Sequence, residues 1–298
     1  MFVDMHCDTM LKIKSKLEDY DFSIAQGYEI GGGLQFFACY IDVQNEKNSF
    51  DKAMQYINNF KEAVKFDTRI EIALNYNDII SIIKKGKVAA IITIEDCGIL
   101  EGNLENLYKL YNLGVRLATL TWNFENEIAS GSKASGGLKP LGKRLIAEME
   151  KLNMLVDVSH INRRGFYDVL NFAARPVLAT HSCCYEIFPH ERNLDRYQFK
   201  ELTIGGGIAG VNFYPIFLNG TPYAGICDIL KHMEYFLNIS PDSVGIGSDF
   251  DGIKYLPFDL SCTGDMKKLF NEIEINYGTE IMKKVSHKNM LRFLKKYL

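Results

Sequence analysis

Six residues of this 298-residue chain carry side chains suited to metal chemistry: His6, Asp8, Glu95, His160, His181 and Asp249. Imidazoles and carboxylates together suit a borderline cation such as zinc, which binds imidazole nitrogen at about 2.0–2.1 Å and carboxylate oxygen at about 2.0–2.2 Å. His6 and Asp8 stand two apart, the spacing that puts both side chains on one face of an extended segment. One ion cannot use all six. A carboxylate such as Glu95 can bridge two ions about 3.5–4 Å apart, divide the histidines between them and hold a hydroxide in the middle. Such a site makes a nucleophile at neutral pH and polarises a carbonyl, so the chemistry indicated is hydrolysis. Each residue also has a structural reading: a histidine held by hydrogen bonds, Asp8 capping a helix, Glu95 or Asp249 paired with a lysine.

The elements that must position these groups are strands ending beside them. Phe2, Val3 and Met5 form a short buried run leading to His6, and LQFFACYI (Leu34–Ile41) is a second strand. VAAIITI (Val88–Ile94), too apolar for a half-exposed strand, ends at Glu95. VRLATLT (Val115–Thr121) runs into Trp122 and Asn123, Met154–Val158 into Ser159 and His160, and Pro176–Thr180 into His181. Gly207–Phe213 and Ser243–Ser248 follow, the last ending at Asp249. Helical periodicity separates most of them: apolar residues recur three and four apart in Ser49–Phe66, and Leu104–Leu113, Pro140–Leu152, Arg164–Ala174 and Ile226–Leu237 are helical, as is Met266 to Leu298. Thr9–Gly33 has only a weak helical pattern and ends in three glycines. The loop Asn123–Gly137 exceeds the usual βα connection of about 2–6 residues and is a candidate lid.

Eight buried strands, most followed by a helix, predict α/β class: one (β/α)8 TIM barrel spanning residues 1–298 as a single catalytic domain. The carboxyl ends of barrel strands gather at one face, where active sites of this fold are built. The structural readings would then require several coincidences at that one face. His190, His232 and His287 lack strand-end placement and are read as surface or structural residues.

Composition is that of an ordinary globular protein, 47% hydrophobic and 24% charged. A net charge of −3 and a pI near 6.1 argue against nucleic-acid or anionic-membrane partners. No basic leader precedes an apolar segment, and no apolar run approaches the ~18 residues of a membrane span, so a cytoplasmic location is expected. The seven cysteines are odd in number, scattered and without a CxxC pair, which fits reduced thiols.

The chain resembles the membrane dipeptidase (renal dipeptidase) family of metallopeptidases in its soluble bacterial form. The resemblance rests on VDMHCDT (Val3–Thr9), IED (Ile94–Asp96), GVRLATLTWNFEN (Gly114–Asn126), GLKPLGK (Gly137–Lys143) and LVDVSH (Leu155–His160). It continues through ATHS (Ala179–Ser182), HERNLD (His190–Asp195), GVNFYP (Gly210–Pro215), GIGSDFDG (Gly245–Gly252) and HKNMLRFL (His287–Leu294). It implies a zinc-dependent dipeptidase of metallo-dependent hydrolase type. His6, Asp8 and a bridging Glu95 would hold one zinc; Glu95, His160 and His181 would hold the other. It further implies that Arg192 binds the dipeptide carboxylate, a task suited to a bidentate guanidinium, that Asp249 shuttles the proton, and that Tyr214 lines the substrate pocket. Mixed L,D-dipeptides become plausible substrates, and a homodimer is the implied assembly. One departure is Trp122, where the animal enzymes have a histidine that helps polarise the scissile carbonyl. An indole donates one hydrogen bond and carries no charge near neutral pH, so oxyanion stabilisation would fall to the zinc pair or Asn123. The alternatives are hydrolysis of a non-peptide amide or ester at the same site, and a non-catalytic metal-binding barrel.

Overall fold

The computed structural model describes residues 1–13 and 22–298. Its strands are β1 (Phe2–Cys7), β2 (Gly33–Tyr40), β3 (Ile70–Ile72), β4 (Val88–Glu95), β5 (Val115–Thr119), β6 (Leu155–Asp157), β7 (Leu178–Ala179), β8 (Ile208–Val211) and β9 (Val244–Ile246). All pairings among them are parallel. They run β2-β1-β9-β8-β7-β6-β5-β4-β3, and a β2–β4 pairing closes the ring. The eight strands read from the sequence form this barrel, with helices between them, as in a (β/α)8 fold.

β3 is additional. It pairs with Val88–Ala90 of β4, while β5 takes the same strand from Ile92 onward, so β3 fills the edge that β5 leaves open. Three residues, Ile-Glu-Ile, are too short to show a period. The helix after it, Tyr76–Lys84, is N-capped by Asn75, whose side chain accepts from the Asp78 N–H; sequence periodicity missed it and Arg196–Ile204. Ser49–Lys65 and Leu104–Leu113, the latter ended by Gly114 at φ 107°, fall within a residue or two of expectation, whereas the expected helix Met266–Leu298 breaks at Gly278, φ 85°, and ends in a final helix, Asn289–Tyr297. In the weakly patterned stretch from Thr9 to Gly33, a 3₁₀ turn covers Thr9–Lys12 and a short helix Ile24–Glu29, while residues 14–21 lie outside the described residues.

Strand alternation builds two apolar layers. Val3, Met5, Leu34, Phe36, Ala89, Ile91, Leu117, Leu155 and Ile208 form one cluster, joined by Met290, Phe293 and Leu294 of the final helix. Phe37, Cys39, Ala90, Ile92 and Ile94 belong to the other, with helix residues such as Ala53, Ile57 and Phe60. The first layer is the barrel interior, with the final helix packed against it; the second lies between strands and helices. Met5 and Cys7 should share a face, yet they fall in different layers. The β1 register shifts between Asp4 and Cys7, a bulge that re-aims the strand end where His6 stands.

The loop from Asn123 to Gly137 is tied down rather than hung as a free lid. Asn126 donates to Asp96 Oδ1 and the Leu120 carbonyl and accepts from the N–H groups of Ile128 and Ala129. The Ser132 N–H donates to the His160 carbonyl at 2.7 Å. No helix among the described residues is long and apolar enough to cross a membrane.

Candidate active site

His6 lies in β1 with Asp8 just past it, Glu95 closes β4, and His160, His181 and Asp249 stand just beyond β6, β7 and β9. All six are buried, and the structure brings them together. Glu95 divides its oxygens: Oε1 is 2.8 Å from His160 Nε2 and 3.6 Å from His181 Nε2, and Oε2 is 3.6 Å from His6 Nε2. His6 Nε2 is also 3.5 Å from Asp8 Oδ2 and 3.8 Å from Asp249 Oδ1. Two of the structural alternatives do not hold. Asp8 makes no capping bond, and among the described residues neither Glu95 nor Asp249 pairs with a lysine.

The donor set fits a cation. His160 Nδ1 lies 2.9 Å from Asn123 Oδ1, an acceptor, so His160 donates there and its Nε2 keeps a lone pair. That Nε2 is only 2.7 Å from His181 Nε2. Among the described residues His6 Nε2 and Asp8 Oδ1 are buried without hydrogen-bond partners. Orphaned polar atoms and converging lone pairs in a buried cluster complement a positive ion.

Electrostatics sort the groups. Burial drives His160 down to about 4, with Arg192 assisting and Glu95 opposing, and burial also lowers His181, so both imidazoles are neutral at pH 7. Burial opposes charge on His6, but the Glu95 and Asp8 carboxylates outweigh it and raise its pKa well above the ordinary value. Burial likewise opposes ionisation of Glu95, and His6 and His160 overcome it, holding the carboxyl well below its usual range. Burial pushes Asp249 up to about 8, with His6 opposing and Asp8 and Glu95 reinforcing. Asn212, just beyond β8, donates to Asp249 Oδ2 at 2.8 Å, leaving Oδ1 as the oxygen nearest His6. His160 and Asp249 sit at φ 68° and 64°, left-handed conformations that L-residues rarely adopt and that recur at functional sites.

A cavity of about 380 Å³ covers this cluster, with Tyr40, Trp122, Tyr214 and Phe217 as aromatic walls and Asn123 at its edge. A larger one, about 680 Å³ beside Arg163, His190 and Tyr197, touches none of the six residues. Arg192 is only 5% exposed. Its Nη2 donates to the His181 carbonyl at 3.3 Å, its Nε has no partner, and the guanidinium lies 5.5 Å from the Phe217 ring centroid. Among the described residues no carboxylate is within ion-pair distance of it. Arg192 itself lines neither cavity, but the Phe217 ring beside it lines the smaller one, and a buried guanidinium without an ion-pair partner is suited to an anionic ligand.

Residues 1–297 match the family model described as Membrane dipeptidase (Peptidase family M19). The chain belongs to that family. Its class is therefore that of a metal-dependent peptidase acting on dipeptides. An uncharacterized dipeptidase of Schizosaccharomyces pombe is 30% identical over 336 residues, covering 99% of this chain and 80% of its own length. A solved dipeptidase of the same metallopeptidase family superposes with TM-score 0.92 at 23% identity, covering 99% of this chain and 98% of its own. A Rhodobacter sphaeroides metallopeptidase, liganded with a phosphinate mimic of L-Ala-D-Ala, gives 0.90 at 22% identity, with 100% and 99% covered.

Asn123 accepts at its side-chain oxygen from His160 Nδ1 and Ser132 Oγ, so its amide NH2 is the end that could donate to an oxyanion. Sequence reading passed over Asn212, although it follows β8 as the other site residues follow their strands. It also passed over Asp4 and Asp157, where a carboxylate inside an otherwise buried strand was the available signal. His232, fully buried between the Cys184 N–H and the Leu218 carbonyl, stands outside the site.

Proposed function

We propose that this family member works with two zinc ions per chain bridged by Glu95 and cleaves dipeptides that carry a free carboxyl terminus, L,D-dipeptides among them. The observation carrying the reading is the division of the Glu95 oxygens, one facing His160 and His181, the other facing His6. In it, His6, Asp8 and Glu95 hold one ion, and Glu95, His160 and His181 the other. Bound there, the ions would make water nucleophilic at neutral pH and polarise the scissile carbonyl.

The chain's own groups do the rest. Arg192 receives the substrate carboxylate, in keeping with its burial without an ion-pair partner among the described residues. Asp249 accepts the proton of the attacking water and returns it to the departing amine. Asn212 fixes one Asp249 oxygen so that the other faces the reaction. Trp122 and Tyr40, with ring centroids 5.1 Å apart, wall one side of the cavity, and Tyr214 and Phe217 wall another, giving the substrate side chains an apolar surface to pack on. Extension to an L,D-substrate draws on the mimic bound by the Rhodobacter protein. The reading includes a cytoplasmic location, in keeping with seven free cysteines, and a homodimeric assembly.

Metal analysis with a substrate panel tests it. Two zinc ions per chain and turnover of L-Ala-D-Ala, with loss of turnover for its carboxyl-terminal amide, are the expected results. Equal rates on the dipeptide and its amide would remove Arg192 from substrate recognition, and one ion per chain at saturation would remove the bridge.

A further inference from the structure

Behind His181 lies a cluster of hydroxyls centred on Asp157, the last residue of β6. Its Oδ1 accepts from the Ser159 N–H at 3.0 Å, Ser159 Oγ at 2.8 Å and the Thr180 N–H at 2.9 Å. Its Oδ2 accepts from Thr119 Oγ1 and Thr180 Oγ1, both at 2.7 Å. Five donors therefore converge on one carboxylate that is 0% exposed. Thr180 has a single hydroxyl hydrogen, and the acceptor-only carboxylate of Asp157 at 2.7 Å, shorter than the 3.3 Å contact with Ser159 Oγ, claims it. Thr180 Oγ1 lies 2.9 Å from His181 Nδ1, and with its hydrogen committed it can only accept there. His181 must then carry its proton on Nδ1 and present a lone pair on Nε2, the atom facing Glu95 and His160.

We propose that Asp157, acting through Thr180, is a positioning relay that fixes the tautomer and ring orientation of His181 for metal binding. The inference rests on the reading of His181 as a ligand. A hydrogen bond to the remote ring nitrogen selects which nitrogen is free to bind a metal, and loss of such a partner costs about 10- to 100-fold in metal affinity or activity. The relay differs from the support behind His160, which is the neutral amide of Asn123. Asp157 also accepts from Thr119 at the end of β5, so one carboxylate aligns the ends of β5, β6 and β7 and aims an imidazole across them.

The direct test is nitrogen-15 NMR of the histidine side chains in the metal-free and zinc-loaded wild-type protein. His181 should be protonated at Nδ1 in both states; protonation at Nε2 in the metal-free protein overturns the relay without any variant. Thr180→Val removes the hydroxyl at constant shape and should weaken zinc binding in chelator competition by about 10- to 100-fold, with circular dichroism unchanged; Thr180→Ser should restore it. Asp157→Asn should act in a distinct way. Its amide donates to Thr180 Oγ1, turns the hydroxyl hydrogen toward His181 Nδ1, and moves the proton to Nε2. The NMR signature should change tautomer and one ion should be lost. Thr180→Val retaining both ions at wild-type affinity rejects the relay, provided His181→Ala loses one; if His181→Ala also keeps both, the ligand assignment itself fails.

Discussion

The half of the site on β1 and β9 and the half on β6 and β7 share Glu95 and differ in charge. The first surrounds one imidazole, His6, with Asp8, Asp249 and one Glu95 oxygen. The second sets two imidazoles, His160 and His181, against the other Glu95 oxygen. In the acid-rich half the Glu95 and Asp8 carboxylates outweigh burial and raise His6, whereas in the imidazole-rich half burial lowers both rings. The two halves thus offer a cation different company, oxygen-rich and nitrogen-rich, from a single bridging side chain. Each also leans on a buried aspartate. Asp4 accepts from the Ser248 N–H at 2.8 Å and Ser248 Oγ at 2.6 Å, tying β1 to the turn after β9, as Asp157 ties β5 to β7.

The contrast can be broken at its shared point. Glu95→Ala removes the oxygen each half uses, and hydrolysis should fall to the uncatalysed level with metal content well below two ions per chain; retention of both ions would show that the halves are independent. Asp249→Asn probes the acid-rich half for proton transfer. It should cost about 10²- to 10⁴-fold in kcat, the scale of a positioned acid–base group, with metal content unchanged. Loss of an ion instead would make Asp249 a ligand. Asn123→Ala frees His160 Nδ1 and should weaken only the imidazole-rich half, by about 10- to 100-fold in zinc affinity; chelator titration should resolve one tight and one weakened ion. Trp122→His should have the smallest effect, about tenfold in kcat/KM, the scale of one altered pocket contact. A gain nearer 10² would show that the indole costs the enzyme an oxyanion donor.

Particular residues show why some of this was legible in advance. Val88–Ile94 could be read as a strand because an unbroken apolar run needs cover on both faces, and Glu95 was conspicuous as the charge that ends it. His160, His181 and Asp249 followed from the same logic. Asn212 obeys it too, but an asparagine after a strand suits an ordinary turn equally well. β3 escaped because three residues carry no period. Loop length marked Asn123–Gly137 as a candidate lid but said nothing of the bonds Asn126 and Ser132 make, which hold it in place.

By itself the sequence determined the barrel, through periodicities of 2 and 3.6 that depend only on local backbone geometry, and it determined that imidazoles and carboxylates suited to a metal stand at strand ends. Tertiary structure alone decided which oxygen of Glu95 faces which histidine, that Arg192 is buried without an ion-pair partner, and which neighbours each imidazole nitrogen meets. Those properties depend on the direction and distance of groups far apart in the chain. His6 and Asp249, separated by more than two hundred residues, become neighbours only when the ring closes between β1 and β9.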